Sequence, residues 1–105
     1  MTLSILIPSR NMELCVDRCL KSIYDSGADE NKFEVVVADT STDGTMNRLE
    51  RWWKEHANLK VVHKDEKLLA GAARNLAFKN STGNYVYCVD IDDWMIGDAL
   101  KKMIE

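Results

Sequence analysis

Residues 33–45 read FEVVVADTSTDGT, and they decide the fold. Phe33–Ala38 is almost continuously apolar and rich in β-branched side chains. A strand covered on one face alternates apolar and polar residues. A near-continuous run is the pattern of a parallel strand buried on both faces. Asp39 closes the run, and Ser41, Thr42 and Asp43 are candidate N-caps for a following helix. The stretch therefore reads as strand, polar loop and helix start.

The same unit recurs in both directions. Leu3–Ile7 (LSILI), Leu59–Val62 (LKVV) and Tyr85–Val89 (YVYCV) are the other strand-like runs. Helix-like spacing fills the gaps. Met12–Ser26 carries Val16, Cys19, Leu20 and Ile23, with Gly27 as its stop. The segment from Asp43 to His56 carries Met46, Leu49, Trp52 and Trp53 on one face. Ala70–Asn80 turns Ala73, Leu76 and Ala77 inward, then STGN makes a turn. A last helix is expected over Gly97–Glu105. The order β-α-β-α-β-α-β-α implies right-handed crossovers and a three-layer α/β/α fold with a mainly parallel sheet. Pro8, the lone proline, is expected to end the first strand.

The bulk numbers fit one domain over residues 1–105, with 46% hydrophobic and 30% charged residues. A net charge of −3 offers no basic face for nucleic acid. No apolar run is long enough to span a membrane, and the N-terminus lacks a signal-peptide pattern, so a cytoplasmic location is expected. The odd count of three cysteines points to free thiols; Cys15 and Cys19, one helical turn apart, read as packing residues rather than metal ligands. His56 and His63 are read as structural or surface residues, and the Trp52–Trp53 pair as helix packing. Neither a GxxxxGK[ST] loop nor a GxGxxG fingerprint occurs, which argues against a P-loop nucleotidase and a nicotinamide enzyme.

In open α/β sheets ligands bind beyond the carboxyl ends of the strands. Here those ends carry PSRN (8–11), DTSTDG (39–44), HKDEK (63–67) and DIDD (90–93). Asp90 and Asp92 share a side if the extended backbone continues, and Asp93 points the other way unless the chain turns. Paired carboxylates suit a hard divalent cation such as Mg²⁺ or Mn²⁺, which also accepts phosphate oxygens. A solvated loop in which Asp93 caps a helix is the alternative. Asp39 could accept from a ribose hydroxyl or a base N–H, or simply belong to a helix-entry loop. Small residues at 70–73 allow close backbone approach, and Arg74 behind them offers bidentate recognition of phosphate.

The ordered set SILIPSRN, FEVVVADTSTDGT, GAARN and GNYVYCVDIDDW resembles the N-terminal, nucleotide-sugar-binding half of a GT-A-fold family 2 inverting glycosyltransferase. The match runs from about residue 3 to residue 94. It implies a truncated Rossmann-like nucleotide-binding domain. It implies that Pro8, Ser9 and Arg10 form the loop under the nucleotide base and that Asp39 meets the base edge. Arg74 is implied near the base or diphosphate. Asp90-Ile91-Asp92 is the D-x-D, with Asp90 toward the ribose or sugar, Asp92 on the metal, and Asp93 sharing metal contact. The donor implied is a nucleoside diphosphate sugar, UDP by preference, and the acceptor a saccharide or lipid-linked hydroxyl. Departures from the family pattern are Ala38 for the first Asp, Thr40 for a Gly, and Arg10 where an aromatic is common.

Family members are longer and place the acceptor site and a catalytic base after the D-x-D. The expectation is that these 105 residues lack both, and that alone they bind donor weakly and turn over poorly. Two other readings stay open. One is a non-catalytic relative that self-associates, or joins a complementary chain, through an exposed sheet edge. The other is a haloacid-dehalogenase-type phosphatase, although its D-x-D follows the first strand of the core, and here the motif follows the fourth.

Overall fold

The computed structural model describes residues 2–96 and 98–104. Its strands are β1 (Leu3–Ser9), β2 (Phe33–Asp39), β3 (Leu59–His63) and β4 (Tyr85–Cys88). Its helices are α1 (Val16–Tyr24), α2 (Thr45–Glu55), α3 (Ala70–Lys79) and α4 (Ala99–Ile104). The two ends of the expected last helix, Gly97 and Glu105, lie outside the described residues.

The strands form one parallel sheet in the order β3-β2-β1-β4. Side chains alternate across it. Leu3, Ile5, Ile7, Val35 and Val37 meet Val16, Leu20, Ile23, Leu49 and Leu100 on the face covered by α1, α2 and α4. Leu6, Val36 and Ala38 meet Ala73 and Ala77 of α3 on the other. The three layers follow from that alternation. At about 25 cal/mol per Å² of apolar surface, this burial is the main force holding them together.

Three expectations are corrected. Strand β1 does not stop at Pro8 but runs to Ser9, with Pro8 opposite Ala38 and Ser9 opposite Asp39. The Ser9 carbonyl accepts the Thr40 N–H on the β2 side, so Pro8 faces the β4 side. There β4 has already ended, since Cys88 pairs with Leu6, and the missing N–H of proline has no ladder bond to lose. Second, β3 and β4, expected to be buried on both faces, are the two sheet edges: only Leu59 of β3 is buried, and Tyr85, Val86, Tyr87 and Cys88 of β4 are all exposed. Third, α1 begins at Val16 rather than Met12, because the chain first makes a turn in which the Cys15 and Val16 N–H groups both bond to the Met12 carbonyl.

The end of the sheet opposite the candidate site is locked by a buried carboxylate. Glu34 Oε2 accepts hydrogen bonds from Ser4 Oγ (2.6 Å), Thr82 Oγ1 (3.1 Å) and the Thr82 N–H, and Oε1 lies 3.2 Å from Lys60 Nζ. The Gly83 N–H in turn donates to Ser4 Oγ at 2.8 Å. The STGN turn is thereby pinned against β1, and the pin sets where β4 starts.

Candidate functional site

Every polar strand end falls on one edge, as the parallel topology requires. The β1–α1 and β2–α2 loops are stitched together by Asn11, whose φ of 52° lies in the left-handed region. Its N–H donates to Ser41 Oγ (2.8 Å), and its Oδ1 accepts the Thr42 N–H (2.8 Å) and the Asp43 N–H (3.3 Å). Arg10 Nη1 crosses to the Thr40 carbonyl. Asp43 bonds the Thr45 N–H (3.0 Å) and Oγ1 (2.6 Å), so it supplies the capping interaction at the start of α2. Asn11 was not singled out from sequence, and Thr40 only as a departure from the family pattern. The signal available for Asn11 was its tolerance of left-handed backbone.

Beside these loops lies a cleft of about 290 Å³. Pro8, Ser9, Arg10, Arg74, Asp90 and Asp92 line it, together with Thr40 and the small residues Ala70 and Ala73. Six of the eight site residues expected from sequence therefore share one cavity. Two do not touch its wall. Asp39 is fully buried behind it, its Oδ1 accepting from Ser41 Oγ (2.7 Å) and its Oδ2 from the Ser41 N–H (3.1 Å). His63 Nδ1 also lies 2.9 Å from Asp39 Oδ2, and its Nε2 lies 3.2 Å from Asp65 Oδ1. The bond to Asp39, then that to Asp65, raise the His63 pKa above its ordinary value. His63 is thus a partner of Asp39, a role hidden in the sequence because the strand register, not local spacing, joins residues 39 and 63.

Asp93, the other residue off the wall, joins its neighbours through a turn. The Asp93 N–H bonds the Asp90 carbonyl at 2.9 Å, so the extended pattern ends at Asp90. Carboxylate oxygens of Asp90, Asp92 and Asp93 come within 4.8 Å of one another. All three are exposed. Three oxygen donors so placed fit a hard divalent cation, whose remaining positions go to water or phosphate.

The surrounding charges are consistent with that. Arg74 Nη2 reaches Asp90 Oδ1 at 3.2 Å, while its Nε is buried with no partner among the described residues. Ser9 Oγ is likewise buried and unpartnered. Both residues line the cleft, so two costly unsatisfied polar groups border the same space as the carboxylates. Cys19 lies under the acidic loop with Sγ 3.9 Å from the Asp90 carbonyl. Burial, then Asp93 and Asp92 nearby, push its thiol up to about 12, so it keeps the proton it donates. Gly71 has open space where a Cβ would lie, so close approach there is not demanded by the chain itself.

A parallel α/β sheet whose polar loops gather around a cleft at the carboxyl ends of the strands is the architecture in which open α/β folds place their ligands. Comparison with known proteins then identifies its family. The family model described as glycosyl transferase family 2 matches residues 4–105, and the chain belongs to that family. The poly(ribitol-phosphate) beta-glucosyltransferase of Bacillus spizizenii is 33% identical over 104 residues, covering 97% of this chain and 16% of that protein. The crystal structure of Staphylococcus aureus TarS 1–349 in complex with UDP-GlcNAc superimposes with a TM-score of 0.91 at 33% identity, covering 98% of this chain and 30% of that one. The mannosyltransferase PcManGT of Pyrobaculum calidifontis, in complex with GDP-Man and Mn²⁺, gives 0.84 at 30% identity, covering 91% and 29%. The chain thus spans under a third of each of these three proteins. The GT-A-type fold expected from the sequence is the one observed. No helix among the described residues is long and apolar enough to cross a membrane.

Proposed function

We propose that this chain is the donor-binding part of a family 2 glycosyltransferase, taking a nucleoside diphosphate sugar, UDP by preference, together with Mn²⁺ or Mg²⁺. The observation that carries the reading is the cleft itself. Exposed carboxylates of Asp90, Asp92 and Asp93 converge to within 4.8 Å. Arg74 Nε and Ser9 Oγ, buried and without partners among the described residues, belong to residues lining the same cleft. The likeness to TarS in complex with UDP-GlcNAc and to a mannosyltransferase in complex with GDP-Man and Mn²⁺ supports it.

Within this reading each residue has a physical task. Asp92 and Asp93 hold the cation, and Asp90 turns toward the ribose or sugar. Arg74, permanently charged, binds the base or diphosphate side. Pro8, Ser9 and Arg10 form the floor under the base. Asp39 meets the base edge from behind Thr40; three of its roughly four lone-pair sites are engaged by Ser41 and His63, leaving one to give. A bound divalent cation supplies Lewis-acid stabilisation to the departing nucleoside diphosphate. Asp90 and Asp92 are the only acidic residues lining the cleft among those described, so no base for the acceptor hydroxyl is assigned within this chain.

The test is calorimetry and thermal shift with UDP, GDP, CDP and ADP, each with and without Mn²⁺. The expected outcome is Mn²⁺-dependent stabilisation by UDP, about 2.7 kcal/mol at a hundredfold excess over Kd, abolished by Asp92→Ala. A chain unmoved by all four nucleotides refutes the proposal.

A further inference from the structure

The acidic loop is fastened at its backbone by one stripe of α1. Arg18 Nη2 donates to the Asp92 carbonyl at 3.0 Å. Cys19 Sγ approaches the Asp90 carbonyl, and Ser22 Oγ accepts the Met95 N–H at 2.9 Å. Residues 18 and 22 are one helical turn apart, with 19 beside them, so a single helix face meets successive peptides of the loop. The Arg18 guanidinium carbon also lies 4.4 Å from the centre of the Trp94 ring. The planar group is held on two sides, by the Asp92 peptide and by an indole from the same loop.

We infer that Arg18 is a positioning residue for the cation site, holding the three carboxylates together before a cation arrives. The inference rests on the metal reading proposed above. Three carboxylates this close repel one another, and an exposed loop would relax apart unless restrained. Arg18 restrains it without occupying a ligand oxygen. It forms no ion pair with a carboxylate among the described residues, whereas Arg74 engages Asp90 Oδ1 directly. Its charge therefore offsets the acidic cluster while the Asp92 carboxylate stays free. Water screens the repulsion between the guanidinium and an incoming cation as it screens that among the carboxylates, and Arg18 adds to the first only through space while it fixes the loop by a direct bond. The lost geometry outweighs it when Arg18 is removed.

The experiment is a Mn²⁺ titration of the chain, read by paramagnetic quenching of Trp94 fluorescence. The Trp94→Phe variant supplies the background from Trp52 and Trp53. Arg18 is exposed, so its variants should fold, and circular dichroism checks this. Arg18→Met keeps the aliphatic length but loses donor and charge. It is expected to weaken Mn²⁺ binding about tenfold, the lower end of the range for residues that support metal ligands. Arg18→Lys, which can still donate to the Asp92 carbonyl, is expected to recover most of the loss. In metal-free protein, Trp94 emission should shift to the red in Arg18→Met as the ring loses its partner. Unchanged Mn²⁺ affinity in Arg18→Met, or unchanged Trp94 emission, overturns the positioning role. A wild-type chain that binds no Mn²⁺, yet shows the emission shift, sinks the metal reading and with it the link to a cation, while leaving Arg18 as the clamp of the loop.

Discussion

Replacing Glu34 tests whether hydrogen-bond accounting explains the far end of the sheet. Glu34 is 2% exposed, in the middle of three strands. Burial pushes its pKa up, but hydrogen bonds from Ser4, the Thr82 backbone, Lys60 and the Thr82 side chain outweigh it, and the net direction is down. Glu34→Ala strands the Ser4 hydroxyl and the Thr82 N–H and removes the partner of Lys60. Hydrogen bonds to charged groups are worth about 1.5–3 kcal/mol each, and breaking a buried pair costs about 3–5. Lys60 is half exposed and can return to water, so the expected loss is at the lower limit, about 3 kcal/mol. Glu34→Gln keeps one acceptor for Ser4 and Thr82 but loses the charge and turns an NH2 toward the half-exposed Lys60, for about 1 kcal/mol.

Urea denaturation followed by circular dichroism reads both variants. With a slope of about 1.5 kcal/mol per M, the Ala variant's midpoint falls by about 2 M at unchanged slope. The sign of the pH dependence follows from the lowered native pKa. The contribution of Glu34 is fully present above the ordinary glutamate pKa and is lost as pH falls through the lower folded one. The gap between wild type and Glu34→Gln should therefore close in acid. A loss under about 1 kcal/mol in Glu34→Ala, or a gap that does not change with pH, would refute the accounting.

Two further outcomes follow from the same structure. A Cβ on Gly83 would sit 2.7 Å from the Ser4 nitrogen and 2.8 Å from the Leu3 carbonyl carbon, so Gly83→Ala must displace backbone; a loss of about 2 kcal/mol, or roughly 10 °C in Tm, is expected, and a change under about 2 °C would disprove the close packing. His63, whose folded pKa is raised chiefly by its bond to Asp39, contributes stability that is complete below its unfolded pKa and lost as pH rises through the folded one; NMR titration should place its midpoint above 6.5, and the advantage of wild type over His63→Gln should shrink from pH 5.5 to 8.5, a constant difference counting against the pair.

The order of elements was legible because helical and strand periodicities are local properties. Val35, Val36 and Val37 could only form a doubly buried strand, and Cys19, Leu20 and Ile23 only the inner face of a helix. What depended on neighbours distant in sequence was not legible. Tyr85–Cys88 has the composition of a central strand, yet among the described residues it pairs only with β1 and lies exposed at the edge; composition does not reveal position within a sheet. Pro8 signals a strand end when its missing N–H matters, and here it faces a place where β4 has stopped. The side on which Asp93 falls depended on whether the chain turned after the strand, and the turn at Asp90 decides it. The DIDD cluster itself needed no topology to find. Its clamp did: Arg18 and Asp92 are 74 residues apart, and nothing in the spacing of α1 marks Arg18 as a partner of the loop.

Glu34, Asp39, Asp90, Asp92 and Asp93 lie toward the two ends of the sheet, and burial does not sort them by role. Glu34 and Asp39 are both fully enclosed on β2, at opposite ends of it. Partner count does sort them. Glu34 receives bonds from Ser4 of β1, Lys60 of β3 and Thr82 of the STGN turn, and it has little left to offer a ligand. Asp90, Asp92 and Asp93 have a single ion pair among the described residues, from Arg74 to Asp90, and crowd one another despite the repulsion. Asp39 stands between these cases, held by Ser41 and His63 with one lone-pair site to spare. Two buried donors without a partner among the described residues, beside three crowded carboxylates, are not favoured by packing alone, because an unmet buried polar group costs free energy with no return. The unmet demand at one end of the sheet, and its absence at the other, is the physical reason to look for the ligand there.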